Sequence, residues 1–416
     1  MSINYKKAGL IVGFIILCIA LGYGIFVLFF KPQLPTTTIK GDDIGQGTGD
    51  LPSAGEGEGT KIITGIDGEL PSGGETDQTV IDDEIPADEK AQGGITKTTV
   101  ISADTSIGAT TDKSGSSVLY YNSEDGKFYK VDKNGQQQAL SNKVFFNVQK
   151  VSWAPNKDKA ILEYPDGANI LYNFNTKKQA TLPKHWEGFN FSPTSNQIVA
   201  KSIGLDPENR WLLTSNDDGS GATIIDAIGK NADKVIPSWS PNNLSIALFQ
   251  ESMDFDRQRI YFVGKNKENF KATIVNGRGF QHQWDSEGKK MLYSVYSSDT
   301  NLNPNLWIVD AQGESIGQNR KRLNLQTWAE KCNFSSDTTI YCAVPKTLPE
   351  GAGVFPQLAK QTSDNIYKVD LQTGTKQLIS VPDNEYNIDN IIVSEDESNL
   401  YFTDSFAKQI HKIKLK

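Results

Sequence analysis

VIPSWSPNNLSIALF, residues 235–249, is the stretch whose reading decides the fold. An apolar strand runs to Trp239 and stops at Pro241, which lacks an N–H and presets φ for a turn. Past the polar turn, LSIALF (244–249) opens a second, apolar strand. The phrase recurs as VSWAPNKDKAILEY (151–164), GFNFSPTSNQIVAK (188–201) and FQHQWDSEGKKMLYS (280–294). In KCNFSSDTTIYCAV (331–344) and NIIVSEDESNLYFT (390–403) the order survives, with Phe334 and Val393 in place of the tryptophan. A degenerate copy, SIGATTDKSGSSVLYY (106–121), opens the series with Thr110 at that position. The aligned positions 110, 153, 191, 239, 284, 334 and 393 have the spacing of four-stranded propeller blades.

Working outward, a third strand follows in most copies: FYKVD (128–132), ILYNFN (170–175), RIYFVG (259–264), NLWIVD (305–310), NIYKVD (365–370). Its alternation marks a half-buried strand. More polar stretches such as QQQALS (136–141), KKQATLP (177–183) and TKQLISV (375–381) suit an outer edge strand. The fold class is therefore all-β, a seven-bladed β-propeller of four-stranded antiparallel blades. A six-bladed ring is the alternative, should the first copy be only an extension. The chain ends at QIHKIKLK (409–416), directly after the last third strand, so one outer strand is missing there. TKTTVIS (96–102), β-branched and just ahead of the first copy, would pair in that place and close the ring.

These repeats resemble the TolB-like, WD40-like repeat family of bacterial propellers. The resemblance rests on W-S-P-N and its variants followed by an apolar strand and the "IYKVD" strand, and it covers residues 96–416. TolB-type proteins carry an additional α/β domain and typically six blades. This chain departs from them with an apolar segment and a linker, so a role in the TolB envelope system does not carry over.

Residues 8–30, AGLIVGFIILCIALGYGIFVLFF, run for 23 residues without a charge, enough to span a hydrocarbon core as a transmembrane helix. Lys6 and Lys7 precede them in a short tail (1–7), which favours a cytoplasmic N-terminus and an extracytoplasmic remainder. A cleaved signal peptide is the competing reading. The run continues ten residues past Ala20 and exceeds a usual signal core, which favours an uncleaved single-pass anchor. The bulky Leu17 before Cys18 fits poorly with lipoprotein processing. No aromatic residue occurs between Lys31 and Leu119, and from Gly41 to Ile95 fourteen acids face two lysines. Residues 31–95 therefore read as a disordered, self-repelling acidic linker, on the order of 45 Å across as a random coil.

The whole chain carries a formal charge of −8, and the linker accounts for it, leaving the propeller formally neutral. That argues against a nucleic-acid partner, which needs basic patches against phosphate. Composition and motifs call for no cofactor, and no metal site is expected: NDDGSG (216–221) lacks the later bidentate Glu of a calcium loop and reads as a turn between third and fourth strands. There is no G-x-S-x-G elbow, and His282, two residues before Trp284, sits where other copies place core residues, so catalytic residues are not expected. Cys332 and Cys342 are symmetric about the turn at Asp337, within disulfide range of each other if oxidised, or two small buried thiols if not.

Connections lengthen between second and third strands in blades three to six: GLDPENR (204–210), ESMDFDRQ (251–258), SSDTNLNP (297–304) and PKTLPEGAGVFPQLAKQTSD (345–364). All fall on one face of a propeller, where recognition loops gather. Trp186 with Glu187, and Trp328 with Glu330 and Lys331, lie just ahead of first strands near that face and form a candidate recognition patch; packing between blades is the plainer role for both tryptophans. The sequence thus reads as a membrane-tethered, non-enzymatic binding or scaffolding module for another envelope protein. The alternatives are recognition of a polysaccharide or peptidoglycan fragment and, further off, an enzyme with a site in the channel.

Overall fold

The computed structural model describes Pro86–Lys416 apart from Asn269, together with Leu21. The apolar segment 8–30, Leu21 excepted, and most of the acidic linker lie outside the described residues. Among the described residues no helix is long and apolar enough to cross a membrane.

Seven antiparallel sheets follow one another along the chain, each ordered from an innermost strand A outward to D. Blade one comprises Ser106–Thr111, Val118–Asn122, Lys127–Val131 and Gln137–Ala139. Blades two to six start at Lys150, Trp186, Val235, Arg278 and Cys332, and blade seven at Ile388. The ring closes with strands from both ends of the chain. Blade seven takes its A, B and C strands from Ile388–Val393, Asn399–Asp404 and Ile410–Lys414, and its outer strand from Thr99–Ser102, paired antiparallel. A further short strand, Ile95–Thr96, adds in parallel to the outer strand of blade six at Val381 and Pro382. The propeller therefore begins before residue 96: Asp88 bridges Thr96, and Ala91 donates to the Lys414 carbonyl.

The aromatic position of the repeat has a direct structural meaning. The Trp153 indole N–H donates to the Gly108 carbonyl of blade one (2.7 Å), and that of Trp284 to Ser238 Oγ of blade four (2.9 Å). Side-chain amides do the same work elsewhere in the ring. Asn190 Oδ1 accepts from the Trp239 amide, Gln283 donates to the Cys332 carbonyl, Asn333 Oδ1 accepts from the Val393 amide, and Asn390 donates to the Ala109 carbonyl. These bonds stitch neighbouring A strands, whose inner faces have no sheet partner of their own. Between blades the core is apolar and often aromatic. Tyr121, Phe128, Phe145, Tyr172 and Phe174 pack between blades one and two, with Phe128 edge-on to Trp153 at 5.5 Å.

Cys332 and Cys342 are register partners in the A and B strands of blade six and are joined by a disulfide (S–S 2.14 Å). His282 is half-buried, its Nε2 2.7 Å from Ser238 Oγ, and the loss of hydration around it pushes its pKa down to about 4. Ser238 already accepts from Trp284, so its hydroxyl donates to a neutral imidazole. His411, stacked on Phe402, is lowered by burial too. Unfolding frees His282 to protonate at its ordinary pKa, so its contribution is fully present above about pH 6.5 and is lost as pH falls towards 4. Urea titrations of the wild type and His282→Gln across this window are expected to converge as pH falls, because the variant lacks that acid-labile contribution.

Candidate functional site

Because strands alternate in direction, the B-to-C and D-to-A connections of every blade share one face, and the A-to-B and C-to-D turns share the other. The two faces differ sharply. On the first, single large apolar side chains stand out from successive connections: Phe146 (65% exposed), Leu205 (98%), Phe255 (69%), Phe355 (54%) and Phe406 (65%). Met253, Val354 and Leu358 add to them. On the connections of the other face, among the described residues, Leu244 alone of the large apolar side chains is exposed, and less so at 37%. This crown of apolar tips is the distinctive surface of the molecule.

The longest connection, in blade six, is an ordered element. Its 3-10 turn Pro356–Gln361 packs with Ala352 and Leu348 over Trp328. The main chain then docks onto blade five, where the Gly351 and Gly353 amides donate to the Asn301 and Leu302 carbonyls, and Ala352 N donates to Asn303 Oδ1. Gly353 makes the approach feasible: a Cβ there would sit 2.5 Å from Tyr296 Cβ. The extra residues in blade four behave differently. Its B strand reaches Ser252 and its C strand starts at Arg257, so ESMDFDRQ is largely a longer hairpin tipped by Phe255 rather than a loop.

The expected recognition residues take three different roles. Trp186 and Trp328 are both buried, one in the core of blades two and three and the other beneath the blade-six insertion. They pack, and neither presents a ring to a ligand. Lys331 is buried as well, its Nζ 2.8 Å from both oxygens of Asp364, whose Oδ2 also accepts from the Ile388 amide of blade seven. Burial of Asp364 raises its pKa while Lys331 opposes that rise. Lys331 is thus an internal brace. Glu187 is exposed and paired with Lys201 (3.0 Å). Glu330 is reached by solvent but walled in by protein; this burial, and next the charge of Asp389, raise its pKa. With Pro356, Lys360 and Asp389 it lines a cavity of about 190 Å³ beside the insertion. The tryptophan pairs of blades three and six do not come together as one patch.

A larger groove, about 910 Å³, opens on the same face between blades one and two. Its wall is the D-to-A connection 140–149, seated where the Phe145 amide donates to the Gly126 carbonyl (2.7 Å) and the Tyr121 hydroxyl donates to the Phe145 carbonyl. Asn147, left-handed at φ 61°, turns the chain there, so that Phe145 enters the core while its neighbour Phe146 stands out. Tyr164, Pro165 and Ile170 line the opposite side. Lys143 lies at the rim, 5.5 Å above the Phe145 ring and bonded to Gln179. The sequence reading missed this site because no periodicity marks a D-to-A connection; the Phe-Phe-Asn run was its only signal.

Elsewhere, NDDGSG forms the C-to-D turn of blade three, with Asp218 accepting from the Ser220 amide and hydroxyl. Among the described residues no group of three or more His, Cys, Asp or Glu side chains is arranged to hold a metal ion.

These sheets and their closure define a seven-bladed β-propeller, and solved structures share the fold. The tricorn protease is similar with a TM-score of 0.50 at 11% identity, covering 76% of this chain and 34% of its own. The beta-propeller domain of Myceliophteria thermophila Cps50 (Swd1) is similar with a TM-score of 0.51 at 11% identity, covering 77% of this chain and all of that domain. The chain spans about a third of the tricorn protease's length, and at this identity both likenesses show the fold alone. No family model matches the chain, and no curated protein matches it.

Proposed function

We infer that the protein is a membrane-anchored, extracytoplasmic propeller serving as a non-enzymatic protein-binding or scaffolding module of a cell envelope. The observation that carries this reading is the one-sided crown of Phe146, Leu205, Phe255, Phe355 and Phe406. Isolated exposed apolar residues are ordinary on any protein; the gathering of these on the connections of one face is the pattern of a docking surface. The uncharged run 8–30, the acidic linker and the TolB-like, WD40-like character of the repeats support the envelope setting. His282, hydrogen-bonded to Ser238 and held neutral, is poorly suited to proton transfer with a substrate and supports the non-enzymatic reading.

The test is photo-crosslinking of the full chain in its native membranes. One protein recovered in constant ratio is expected with the wild type and with an Ile224→Ser/Leu244→Ser control, and at least tenfold less with Phe255→Ser/Phe355→Ser. Equal recovery with the crown variant would remove the crown from the reading. A second reading, recognition of a polysaccharide or peptidoglycan fragment, draws on the groove between blades one and two, where exposed Phe146 stands among the amides of Asn147, Gln149 and Gln179.

A further inference from the structure

The groove between blades one and two carries more chemistry than a generic docking face. Val144, Phe145, Val148, Tyr164, Pro165 and Ile170 give it apolar surface, with the polar side chains of Lys143, Asn147, Gln149, Asp166 and Gln179 set among them. Phe146 rises from one edge with two-thirds of its surface in water. Such a side chain, fixed by the Asn147 turn and by the loop's seat on Gly126, is a rigid aromatic anchor that loses little entropy on contact. Gly126 holds that seat closely: a Cβ on it would meet Val144 Cγ1 at 2.8 Å, and its φ of +72° suits glycine.

The charges around the groove are unequal in their pairing. Asp166, in the lining, is matched by Lys184 at 3.0 Å, and Lys150, next along the chain from Gln149, by Glu163 at 3.1 Å. Lys143 is different. Its ammonium rests over the Phe145 and Tyr172 rings at 5.5 and 5.8 Å and donates to the neutral Gln179, and among the described residues no carboxylate lies within ion-pair distance of it. A cation held at the edge of an apolar groove by aromatic faces and an amide is positioned to receive a carboxylate.

Resting on the reading of a protein-binding face, we propose that this groove is the specificity site for an extended peptide segment of the partner, in which a bulky apolar side chain packs against Phe146 and an adjacent carboxylate pairs with Lys143. The groove suits an extended segment because it is open to solvent and runs between the connection 140–149 on one side and the blade-two residues Tyr164, Pro165 and Ile170 on the other. A neutral sugar would use the amides and leave Lys143 without an opposite charge. An anionic lipid headgroup would meet a single cation rather than a basic cluster, a weak match.

The experiment uses the full chain in detergent micelles and three fluorescein-labelled dodecapeptides carrying one Leu-Phe pair flanked by Asp-Glu, Ser-Ser or Lys-Arg. Anisotropy titrations are expected to rank them acidic, then neutral, then basic. Phe146→Ser is expected to weaken the acidic peptide at least tenfold, and Lys143→Gln about fivefold while erasing the difference between acidic and neutral peptides. Both positions are surface ones, and unchanged circular dichroism and urea midpoints establish that the variants fold. Saturable binding of none of the peptides, ranking unaffected by Lys143→Gln, or binding of soluble muropeptides in their place overturns the proposal. The crosslinking experiment separates the two levels. If Phe146→Ser/Lys143→Gln retains the partner that Phe255→Ser/Phe355→Ser loses, the groove assignment fails and the docking face stands; if neither loses it, the docking face fails as well.

Discussion

Replacing Lys331 with alanine is expected to cost about 3–5 kcal/mol of folding stability, the penalty for stranding one member of a buried ion pair. Asp364 is fully enclosed and gives both oxygens to Lys331 Nζ at 2.8 Å, so the variant leaves a carboxylate with only the Ile388 amide for a partner. The pair links the entry of strand A in blade six to the start of strand C in the same blade and, through Ile388, to blade seven. Urea unfolding monitored by tryptophan fluorescence should show the lower midpoint. Protonating the stranded Asp364 relieves part of the cost, so the deficit narrows as pH falls. A Lys331→Met/Asp364→Leu double variant, which removes both charges, is expected to recover most of the loss. A single variant as stable as the wild type would show that the pair adds nothing to the fold.

The second large effect concerns closure. A chain starting at Asp104 lacks Thr99–Ser102 and leaves the Ile410–Lys414 strand of blade seven as an open edge. It also forfeits the buried Ile101 and the bond that Ser102 Oγ donates to the Tyr120 hydroxyl at 2.9 Å. Loss of that apolar burial and of several ladder bonds amounts to about 5 kcal/mol. The bare edge is expected to drive self-association as well, visible by light scattering at concentrations where the full chain is monodisperse. Ile101→Asp is the finer variant, expected to keep the strand's hydrogen bonds but lose its packing, at about half the cost. A truncated chain with unchanged midpoint and scattering would mean that blade seven holds with three strands.

Much of this architecture is legible in particular residues. Trp153, Trp239 and Trp284, each followed within a few residues by a turn, mark the ends of A strands; the Trp153 and Trp284 indoles reach polar groups of the preceding blade's inner strand, and that of Trp239 caps its own turn at Asn243. TKTTVIS reads as the missing outer strand since an unpaired edge at each terminus calls for the other. Cys332 and Cys342 read as register partners from their symmetry about Asp337 alone. In each case the information is local and the period of the strand carries it.

The recognition patch was not legible in the same way. Trp328, beside charges, reads as either a packing or a recognition residue, and the return of residues 348–359 over it decides for the core. Lys331 reads as a surface cation until Asp364, 33 residues on, is brought against it. Phe145 and Phe146 are adjacent and chemically identical, yet one is buried and the other two-thirds exposed.

By itself, then, the sequence determined the class of the fold, the order of strands in each blade and the means of closing the ring, since strand period, proline placement and turn chemistry act over a few residues. Which side chains face water on the loop-rich side was decided by tertiary structure. Connections have no period, and the burial of a residue such as Trp328 or Phe146 depends on what a distant segment, the blade-six insertion or the turn at Gly126, lays against it.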